Sequence, residues 1–347
     1  MHAFLAGTTE PLERAYRLAL LDLDGVVYRG KDPVEHAAES IRTAERAGLF
    51  VQYTTNNSSR FQRVVADQLR GFGLTVDPTQ IITSAVVAAR MVARHVEPGS
   101  RVLVLGAEHL RQEVQSQGLT VVDDAASDPQ AVIQGWHPGL TWRELAEVSN
   151  AVDHGARYFV TNRDLTLPRE WGMAPGCGAM IRAVIEATGV EPVASAGKPE
   201  SAMYDEARVL AAEGEEPVPK ERCLAIGDRL DTDIEAGNRG GYDSMAVLTG
   251  VTNPRELILA APEYRPTYIV RDLRGLQDAQ PTPHRVDDAT WGCREAWARL
   301  RDDAVEVSAE DDLDALRAAC CLLWEHRDAG DAGGWSLPEL HGEAFAR

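Results

Sequence analysis

Basic residues are scarce in this sequence. The chain of 347 residues carries 35 Lys and Arg against 54 Asp and Glu, which gives a formal net charge of −19 at pH 7. Nucleic acids and anionic membrane surfaces are bound through clustered basic side chains. The charge balance therefore argues against both as partners.

Cysteine is also rare and lacks the spacing of a metal site. The five cysteines are an odd number, and they stand at Cys177, Cys223, Cys293, Cys320 and Cys321. An odd number of thiols without ligand spacing is typical of reduced cysteines in a reducing compartment. The sequence thus predicts free thiols and a cytoplasmic protein.

Long apolar runs are missing as well. Residues 1–17 contain no stretch of signal-peptide length, and no segment reaches the roughly 18 uninterrupted apolar residues of a membrane span. We therefore expect a soluble protein without membrane insertion. The length allows two domains and a large core.

Two aspartates stand at the end of an apolar segment, in RLALLDLDGVVYRG. Residues 18–23 are predicted to form a buried strand, which Gly25 ends. Asp22 and Asp24 then lie at the carboxyl end of the strand, where open α/β sheets place their ligand sites, and on one side of it. A surface turn is the alternative, because Asp and Gly favour turns.

Three further segments each place polar groups at the end of a predicted strand or the start of a helix. In LFVQYTTNNSSR, Thr55 and Asn56 follow an apolar run and offer hydroxyl and amide groups. Helix capping by Asn57 or Ser58 is the alternative for this segment. In SAGKPESAMYDEA, Lys198 precedes a proline at a helix entry, although a lone lysine is usually a surface charge.

The last of these segments is ERCLAIGDRLDTDIEAGNRGG. A short apolar strand is followed by Gly227, and Asp228, Asp231 and Asp233 crowd the turn and the start of the next helix. Acidic residues at a helix amino end are ordinary partners of the helix dipole, which accounts for Asp231 and Asp233. It accounts less well for Asp228, which directly follows the strand and the glycine.

Together the four segments resemble the haloacid dehalogenase superfamily of phosphatases. The motifs D-x-D-G-V-x-x-R-G, T-N-N, G-K-P and G-D-R-L-D-T-D-I are similar to its class IIA branch, and the match spans roughly residues 16–280. That branch includes phosphatases of phosphoglycolate, pyridoxal phosphate, nitrophenyl phosphate and nucleotides. The chain also resembles the actinobacterial glycerol-3-phosphate phosphatases, which carry an added carboxyl-terminal segment.

Chemistry and the resemblance assign the same catalytic roles. Asp22 is expected to attack phosphorus and form an aspartyl-phosphate, while Asp24 protonates the leaving alkoxide and then deprotonates water. An all-oxygen site predicts Mg²⁺ as cofactor. Its expected ligands are the Asp22 carboxylate, the Asp24 backbone carbonyl and the Asp228 carboxylate, with Asp233 binding a metal water or Lys198.

The remaining predicted site residues handle the phosphate and the rest of the substrate. Lys198 is expected to neutralise Asp22 and the phosphoryl oxygens, and Thr55 and the Asn56 amide to hold those oxygens. A helix start at Gly178 could hold an anionic group, although a tight loop explains its glycines equally well. The residues predicted to bind substrate are Gly25, Asn56, Asn57, Asn162, Gly176, Cys177 and Gly178.

More than a hundred residues separate the second motif from the third, and they repeat the alternation of strand and helix. We interpret residues 98–192 as an inserted α/β cap of the class IIA type, which the resemblance implies closes over the catalytic face. Residues 1–97 and 193–280 are predicted to form the catalytic core. The expected fold class is α/β, with a doubly wound parallel sheet in the core.

The composition changes after residue 283. The last 64 residues hold four of the seven tryptophans and 15 acids against 7 Lys and Arg. We interpret residues 284–347 as an appended α/β module, with a helix at 291–301, a strand at 304–307 and a helix at 310–327. Its apolar surface is too small to be stable alone, so it should pack on the core or on a second copy. Disorder is the alternative, for residues 328–347 especially.

The sequence therefore predicts a Mg²⁺-dependent phosphomonoesterase of a small phosphate, with glycerol 3-phosphate as the first compound to test. A phosphotransferase or mutase would use the same intermediate. A non-catalytic sensor of phosphorylated metabolites is a rival from another class. The four intact motifs argue against it, because a sensor has no use for a proton shuttle. A homo-oligomer is compatible with the sequence.

Overall fold

The computed structural model of the protein describes residues 4–169, 172–331, 333–342 and 345. The chain divides into two compact units. The first consists of Met1–Tyr53, Phe72–Leu74 and Arg208–Arg347, and the second of Thr54–Gly71 and Thr75–Ala207.

The first unit is built on a parallel sheet. Leu18–Asp22 pairs in parallel with Cys223–Gly227, which pairs with Asp243–Val247, which pairs with Tyr268–Val270. On the other side of Leu18–Asp22 lies Phe50–Thr55, which continues into the second unit. All residues of Leu18–Asp22 and Cys223–Gly227 are buried, as expected of central strands in a parallel sheet.

Short helices connect these strands. The helical segments of the first unit are Leu12–Ala15, Ala37–Arg46, Lys220–Arg222, Leu230–Ile234, Glu235–Gly240, Pro254–Ile258, Pro262–Tyr264, Leu273–Gln277 and Leu313–Asp328. A small antiparallel pair, Tyr28–Arg29 with Asp32–Pro33, follows the first strand. The strand and helix alternation predicted for this part of the chain is confirmed.

The second unit has its own five-stranded sheet, and all of its pairings are parallel. The strand order is Ala194–Ser195, Arg157–Val160, Ala131–Gln134, Arg101–Leu105 and Thr120–Val122. A separate apolar core of aliphatic residues and one tyrosine covers this sheet. The predicted inserted segment is therefore α/β with a parallel sheet.

The helices of the second unit alternate with its strands. They are Gln62–Gly71, Pro78–Gln80, Ser84–Ala93, Glu108–Ser116, Ala125–Ser127, Trp142–Asp153, Cys177–Thr188 and Ala202–Ala211, the last of which continues into the first unit. Ile81–Thr83 forms a further short strand. The elements that the sequence did not predict include the helix Gln62–Gly71 and an antiparallel pair of strands, Thr166–Arg169 with Gly172–Pro175.

The carboxyl-terminal module is a four-stranded antiparallel sheet and one helix. The strands are His284–Asp287, Thr290–Cys293, Ala296–Arg301 and Ala304–Val307, in sequence order. The predicted helix at 291–301 is wrong. A turn at Arg294, whose φ is +49°, interrupts that segment. Ala296 and Ala298 are buried while Trp297 and Arg299 are exposed, which is the period of a strand.

The helix Leu313–Asp328 joins the module to the core. Trp324 is fully buried and its indole N–H donates to the carbonyl of Leu257 at 3.0 Å. Arg265 forms two hydrogen bonds, of 2.7 and 2.8 Å, with the carboxylate of Asp328. The prediction that the module packs on the core is confirmed. Trp297 of the module is 36% exposed.

The chain beyond this helix is partly ordered by main-chain hydrogen bonds. Ser336 donates to the carbonyl of Asp303 at 2.7 Å and accepts from Val305 at 2.9 Å, and His341 donates to Glu310 at 2.9 Å. Disorder of the whole segment 328–347, the alternative left open, does not hold for these residues. Residues 332, 343, 344, 346 and 347 lie outside the described part of the chain.

Two further sequence expectations concern thiols and membranes. All five cysteines are free and buried, as predicted. Among the described residues, no helix is both long enough and apolar enough to cross a membrane.

Candidate active site

Three buried carboxylates of the first unit form a cluster. One carboxylate oxygen from each of Asp22, Asp228 and Asp233 lies within 4.8 Å of the other two. Asp22 is the last residue of one central strand, and Asp228 directly follows the neighbouring strand. Parallel strands end at the same edge of a sheet, so the two motifs meet there although about two hundred residues separate them.

Glycines make room for these acids. A Cβ atom at Gly25, where φ is +80°, would lie 2.4 Å from Oδ2 of Asp228, and one at Gly250 would lie 1.8 Å from the same atom. A Cβ at Gly227 would lie 2.1 Å from Cβ of Asp233. Real Cβ atoms do not approach so closely. The glycines of the D-x-D-G and G-D motifs are therefore required by the packing of the carboxylates.

The loop that follows Asp243–Val247 holds the cluster in place. The N–H of Val251 donates to Oδ2 of Asp228 at 2.7 Å, and the hydroxyl of Thr249 donates to the carbonyl of Gly25 at 2.7 Å. The N–H of Arg229 donates to Oδ2 of Asp233 at 3.1 Å. Backbone donors thus orient the carboxylates of Asp228 and Asp233.

The donor set of this cluster fits a magnesium ion. All three side chains offer carboxylate oxygens, the hard ligands that Mg²⁺ prefers. Three carboxylates at this separation repel one another, and the repulsion is strong at buried positions unless a cation offsets it. The arrangement can therefore hold a divalent cation next to Asp22.

Asp24 and Asp231 lie outside this cluster. The side chain of Asp24 is exposed, and its backbone forms a bridge with Tyr28. Asp231 is also exposed and forms two hydrogen bonds with the guanidinium of Arg229, at 3.1 and 2.9 Å. Of the acids in the fourth motif, Asp228 and Asp233 are the two that join Asp22.

In the second unit, the residues after Phe50–Thr55 form a tight turn. Thr55 is 5% exposed, and its hydroxyl oxygen accepts from the N–H of Asn57 at 3.2 Å. Oδ1 of Asn57 accepts from the N–H groups of Ser59 and Arg60, at 2.8 and 3.2 Å. These partners precede the helix Gln62–Gly71, so the side chain of Asn57 forms a turn and not the helix cap that the sequence left open. Its predicted contact with substrate stays a prediction.

Lys198, Asn56 and Asn162 come together in the same unit. Lys198 is 2% exposed and Asn162 is 5% exposed. Asn56 hydrogen-bonds to the main chain of Lys198, and Asn162 donates to the carbonyl of Asn56 at 2.9 Å. The T-N-N, T-N-R-D and G-K-P segments thus meet in one place.

Two loops of the second unit that were predicted to bind substrate pack backbone against backbone. The N–H of Gly178 donates to the carbonyl of Asp164 at 2.8 Å, and that of Gly176 donates to Leu165 at 2.9 Å. A Cβ at Gly178 would lie 2.2 Å from the carbonyl oxygen of Arg163. Close approach of two loops therefore explains these glycines, as in the tight-loop interpretation.

Cys177, between these glycines, is buried. Its thiol lies 3.9 Å from the hydroxyl of Thr161, and burial raises the pKa of the thiol to about 12. A thiol with such a pKa is protonated at neutral pH and is a poor nucleophile. The side chain packs in the loop, and its predicted contact with substrate stays a prediction.

Two residues, Asp233 and Asp164, have closer contacts with the predicted site residues than the sequence indicated. Asp233, predicted to be a more distant partner of the metal, is a full member of the carboxylate cluster. Asp164 was left out of the predicted site, yet it accepts a hydrogen bond from Asn56 at 3.1 Å. Its position two residues after Asn162 carries a signal, because the N–H of Asp164 donates to Oδ1 of Asn162 in an Asx turn.

Comparisons with known proteins identify the relatives of this chain. A family model of haloacid dehalogenase-like hydrolases matches residues 19–120, and a second model, of HAD-hydrolase-like sequences, matches residues 195–276. The chain is 40% identical to a D-glycerol 3-phosphate phosphatase of Mycobacterium tuberculosis over 316 residues, which are 89% of this chain and 86% of that protein. It is 36% identical to the 5′-nucleotidase YutF of Bacillus subtilis, over 75% of this chain and 97% of that protein.

A solved structure shares the fold. The crystal structure of a glycerol phosphate phosphatase from Mycobacterium tuberculosis in complex with magnesium matches with a TM-score of 0.80 and 36% identity, over 91% of this chain and 93% of that one. The fold and the carboxylate cluster define an α/β phosphoric monoester hydrolase. The chain belongs to the haloacid dehalogenase-like hydrolase family.

Proposed function

We propose that this hydrolase is a Mg²⁺-dependent phosphomonoesterase of a small phosphorylated metabolite, with glycerol 3-phosphate as its preferred substrate. The substrate is proposed because the relative from Mycobacterium tuberculosis, which bears that activity name, matches this chain over 89% of its length. The metal is proposed because a similar structure was solved with magnesium and because the acidic cluster offers suitable ligands.

The observation that carries the proposal is the position of Asp22 within the cluster. Its carboxylate lies within 4.8 Å of those of Asp228 and Asp233 and is only 9% exposed. A cation held by these acids would offset the charge between Asp22 and a phosphate dianion. The Asp24 carbonyl is proposed as a further ligand, with Asp233 either a direct ligand or the partner of a metal-bound water.

The chain's own residues then divide the reaction into two steps. A carboxylate oxygen of Asp22 attacks phosphorus, the ester P–O bond breaks, and Asp24 gives its proton to the departing alkoxide. Asp24, now a carboxylate, takes a proton from water as the water oxygen attacks phosphorus. The bond between phosphorus and Asp22 breaks and inorganic phosphate leaves. Thr55 and Lys198 keep the roles toward the phosphoryl oxygens that the resemblance implies, and the amide proposed to hold those oxygens at Asn56 is its main-chain N–H.

The domain division predicted from the sequence is part of the proposal. Four of the five strands in the second parallel sheet lie within residues 98–192, which supports a cap in that range. The catalytic core is proposed to comprise 1–97 and 193–280, and the appended module 284–347. Substrate choice is assigned to the cap.

The partners and location follow from composition and thiol state. We infer a small-molecule phosphomonoester as substrate and no nucleic acid partner, because the net charge is −19. Five free, buried cysteines are compatible with the reducing cytoplasm. A homo-oligomer stays a prediction, which light scattering on the purified chain would test.

The proposal is tested by measuring phosphate release across a panel of small phosphomonoesters, with Mg²⁺ and with EDTA. The panel contains glycerol 3-phosphate, phosphoglycolate, pyridoxal 5′-phosphate, p-nitrophenyl phosphate and nucleoside monophosphates. We expect the highest kcat/KM for glycerol 3-phosphate and no release with EDTA. Added alcohols should not divert phosphate to a new ester, and diversion would instead favour the phosphotransferase.

Asp22→Asn is the control for this screen. The variant keeps the shape of the side chain but lacks the nucleophilic carboxylate, so turnover should fall by on the order of 10⁴-fold or more. Circular dichroism should show an intact fold. Turnover retained in Asp22→Asn would refute the nucleophile assignment, and a panel without any released phosphate would refute the activity.

A further inference from the structure

A single side-chain amide holds both main-chain groups of Lys198. The N–H of Lys198 donates to Oδ1 of Asn56 at 2.8 Å, and Nδ2 of Asn56 donates to the carbonyl of Lys198 at 3.0 Å. Oδ1 and Nδ2 of Asn56 thus pair with the N–H and the carbonyl of one residue, as the main chain of a neighbouring strand would. The pair also fixes the orientation of the amide, because a flipped amide would set Nδ2 against the N–H.

The same amide is held from its other side by Asp164. Nδ2 of Asn56 lies 3.1 and 3.3 Å from the two carboxylate oxygens of Asp164. A primary amide has two N–H bonds, and the carbonyl of Lys198 and the carboxylate of Asp164 accept one each. A hydrogen bond to a charged carboxylate is stronger than one to a neutral group. Asp164 therefore keeps Asn56 turned toward Lys198.

The main chain of Asn56 is anchored as well. Its carbonyl accepts from Nδ2 of Asn162 at 2.9 Å and from the hydroxyl of Ser84 at 2.6 Å. The N–H of Asp164 donates to Oδ1 of Asn162 at 3.2 Å. The short loop that contains Asn162 and Asp164 thus hydrogen-bonds to Asn56 at its main-chain carbonyl and at its side chain.

Gly197 shows how closely the lysine loop packs on this network. A Cβ atom there would lie 2.8 Å from Oδ1 of Asn56 and 2.9 Å from the carbonyl oxygen of Thr161. Both distances are shorter than real Cβ contacts. The glycine of the G-K-P motif is required because the loop rests directly on the Asn56 amide.

The far end of the lysine has its own support. Nζ of Lys198 lies 5.9 Å from the ring centroid of Tyr204, which is fully buried on the helix Ala202–Ala211. A cation at this distance from an aromatic ring is attracted by it. The backbone of Lys198 is thus fixed by Asn56, and its ammonium group rests near an aromatic ring.

We propose that Asn56 is a positioning residue for Lys198 and that Asp164 orients Asn56 for this role. The inference rests on the proposed function, because it assumes that Lys198 supplies charge to the phosphoryl group. A displacement of about 1 Å at such a group can lower the rate by on the order of 10²-fold. The side-chain amide of Asn56 therefore acts on the reaction through Lys198, and not by contact with phosphate.

A double-mutant cycle tests this inference. Asn56→Ala, Lys198→Ala and the double variant are compared with the wild type by kcat and KM for glycerol 3-phosphate and p-nitrophenyl phosphate with Mg²⁺. We expect Asn56→Ala to lower kcat by about 10²-fold in the wild-type background and by less than about 3-fold when Lys198 is already alanine. An equal fold-loss in both backgrounds would overturn the inference, because Asn56 would then act independently of Lys198.

A graded pair at position 164 keeps the inference testable if Asn56→Ala does not fold. An asparagine at 164 can still accept a hydrogen bond from Asn56, so Asp164→Asn should retain more of kcat than Asp164→Ala. Both losses should shrink in the Lys198→Ala background. Equal kcat in the two variants, or losses that persist without the lysine, would contradict the role given to Asp164.

Gln130→Ala is the matched control. The side-chain amide of Gln130 also bonds to main-chain groups of the second unit. Oε1 accepts from the N–H of Arg101 at 2.8 Å, and Nε2 donates to the carbonyl of Asp128 at 2.8 Å. It is not part of the network around Lys198, so kcat should not change. A loss of kcat comparable with that of Asn56→Ala would show that removing any such bond between a side-chain amide and the main chain of this unit lowers the rate.

The outcome separates this inference from the proposed function. If Asp22→Asn and Lys198→Ala both keep wild-type turnover, the proposed function fails. If both lose turnover while the effect of Asn56→Ala simply multiplies with that of Lys198→Ala, the positioning role alone fails.

Discussion

At the residue scale, the two aspartates of the first motif differ sharply in burial. Asp22 is buried in the acidic cluster, whereas Asp24, two residues later, is exposed and is not among the clustered carboxylates. A general acid must exchange its proton with substrate and water, which an exposed side chain can do. A nucleophile that shares a cation must instead be held still.

Asp24→Asn should separate proton transfer from metal binding. The proposed metal ligand at this position is the backbone carbonyl, which the substitution keeps, whereas the carboxyl group that is proposed to transfer protons is lost. We expect kcat to fall by about 10² to 10⁴-fold with little change in Mg²⁺ affinity, measured by calorimetry and by the Mg²⁺ dependence of the rate. If Mg²⁺ affinity falls in parallel with kcat, the side chain itself is a ligand and this division is wrong.

His109 is a buried titratable group outside the catalytic motifs. It is 1% exposed, its Nε2 lies 2.9 Å from the hydroxyl of Thr83, and Nδ1 lies 3.6 Å from a carboxylate oxygen of Glu113. Burial lowers the pKa of the imidazole from 6.5 to about 4. The unfolded chain therefore binds a proton that the folded chain does not bind between these two pH values.

This difference makes stability depend on pH. Above pH 6.5 the contribution of neutral His109 to the free energy of unfolding is fully present. This contribution is lost as the pH falls toward 4, by about 1 kcal/mol between pH 7.5 and 5.5. Urea unfolding of the wild type and of His109→Gln, whose amide can still bond to Thr83, measures it. Burial raises the pKa of Glu113, which acts in the opposite direction in both proteins. An equal pH dependence in the two proteins would exclude His109 as its source.

At the scale of elements, packing partners decided the outcome where local patterns were ambiguous. The helix Leu313–Asp328 was predicted because its apolar residues recur at helical spacing, and eleven of its residues are buried. The segment at 291–301 was also predicted as a helix, although its two tryptophans, Trp291 and Trp297, are six residues apart and do not share a helix face. It forms two strands instead, because the turn at Arg294 lets Thr290–Cys293 pair with Ala296–Arg301.

Trp324→Ala should destabilise the first unit strongly. The substitution removes a fully buried indole and its hydrogen bond to Leu257, which should cost about 3 to 5 kcal/mol in the free energy of unfolding. Trp297→Ala is the matched control in the same module, because Trp297 is 36% exposed, and should cost about 1 kcal/mol or less. Equal losses in chemical denaturation would mean that the helix does not dock on the core as described.

At the scale of the whole molecule, charged side chains and thiols differ in where they lie. The surface carries most of the charge, while all five cysteines lie inside. Burial raises the pKa of four of them to about 12 and that of Cys320 further above its usual value. Since thiolates are the reactive form, the native protein should be inert to thiol reagents.

Thiol labelling checks this expectation. At pH 8, an aromatic disulfide reagent should modify no cysteine on the time scale of minutes in the native protein and five after denaturation. The four raised pKa values leave only about one thiol in 10⁴ ionised at that pH. Rapid modification of one thiol would show that its segment opens in solution.

The sequence by itself determined the order of strands and helices in the core and inserted segment, and the identity of the chemical groups. Apolar runs ended by Gly or polar residues placed Asp22 and Asp228 at strand ends, because burial and turn propensity are local properties. Only the tertiary structure decided which groups meet. Asp233 joined the acidic cluster, Asp164 reached Asn56 across about a hundred residues of chain, and the module formed a sheet. The contact of Asp233 with Asp22 and that of Asp164 with Asn56 depend on packing between distant segments, which no local pattern encodes.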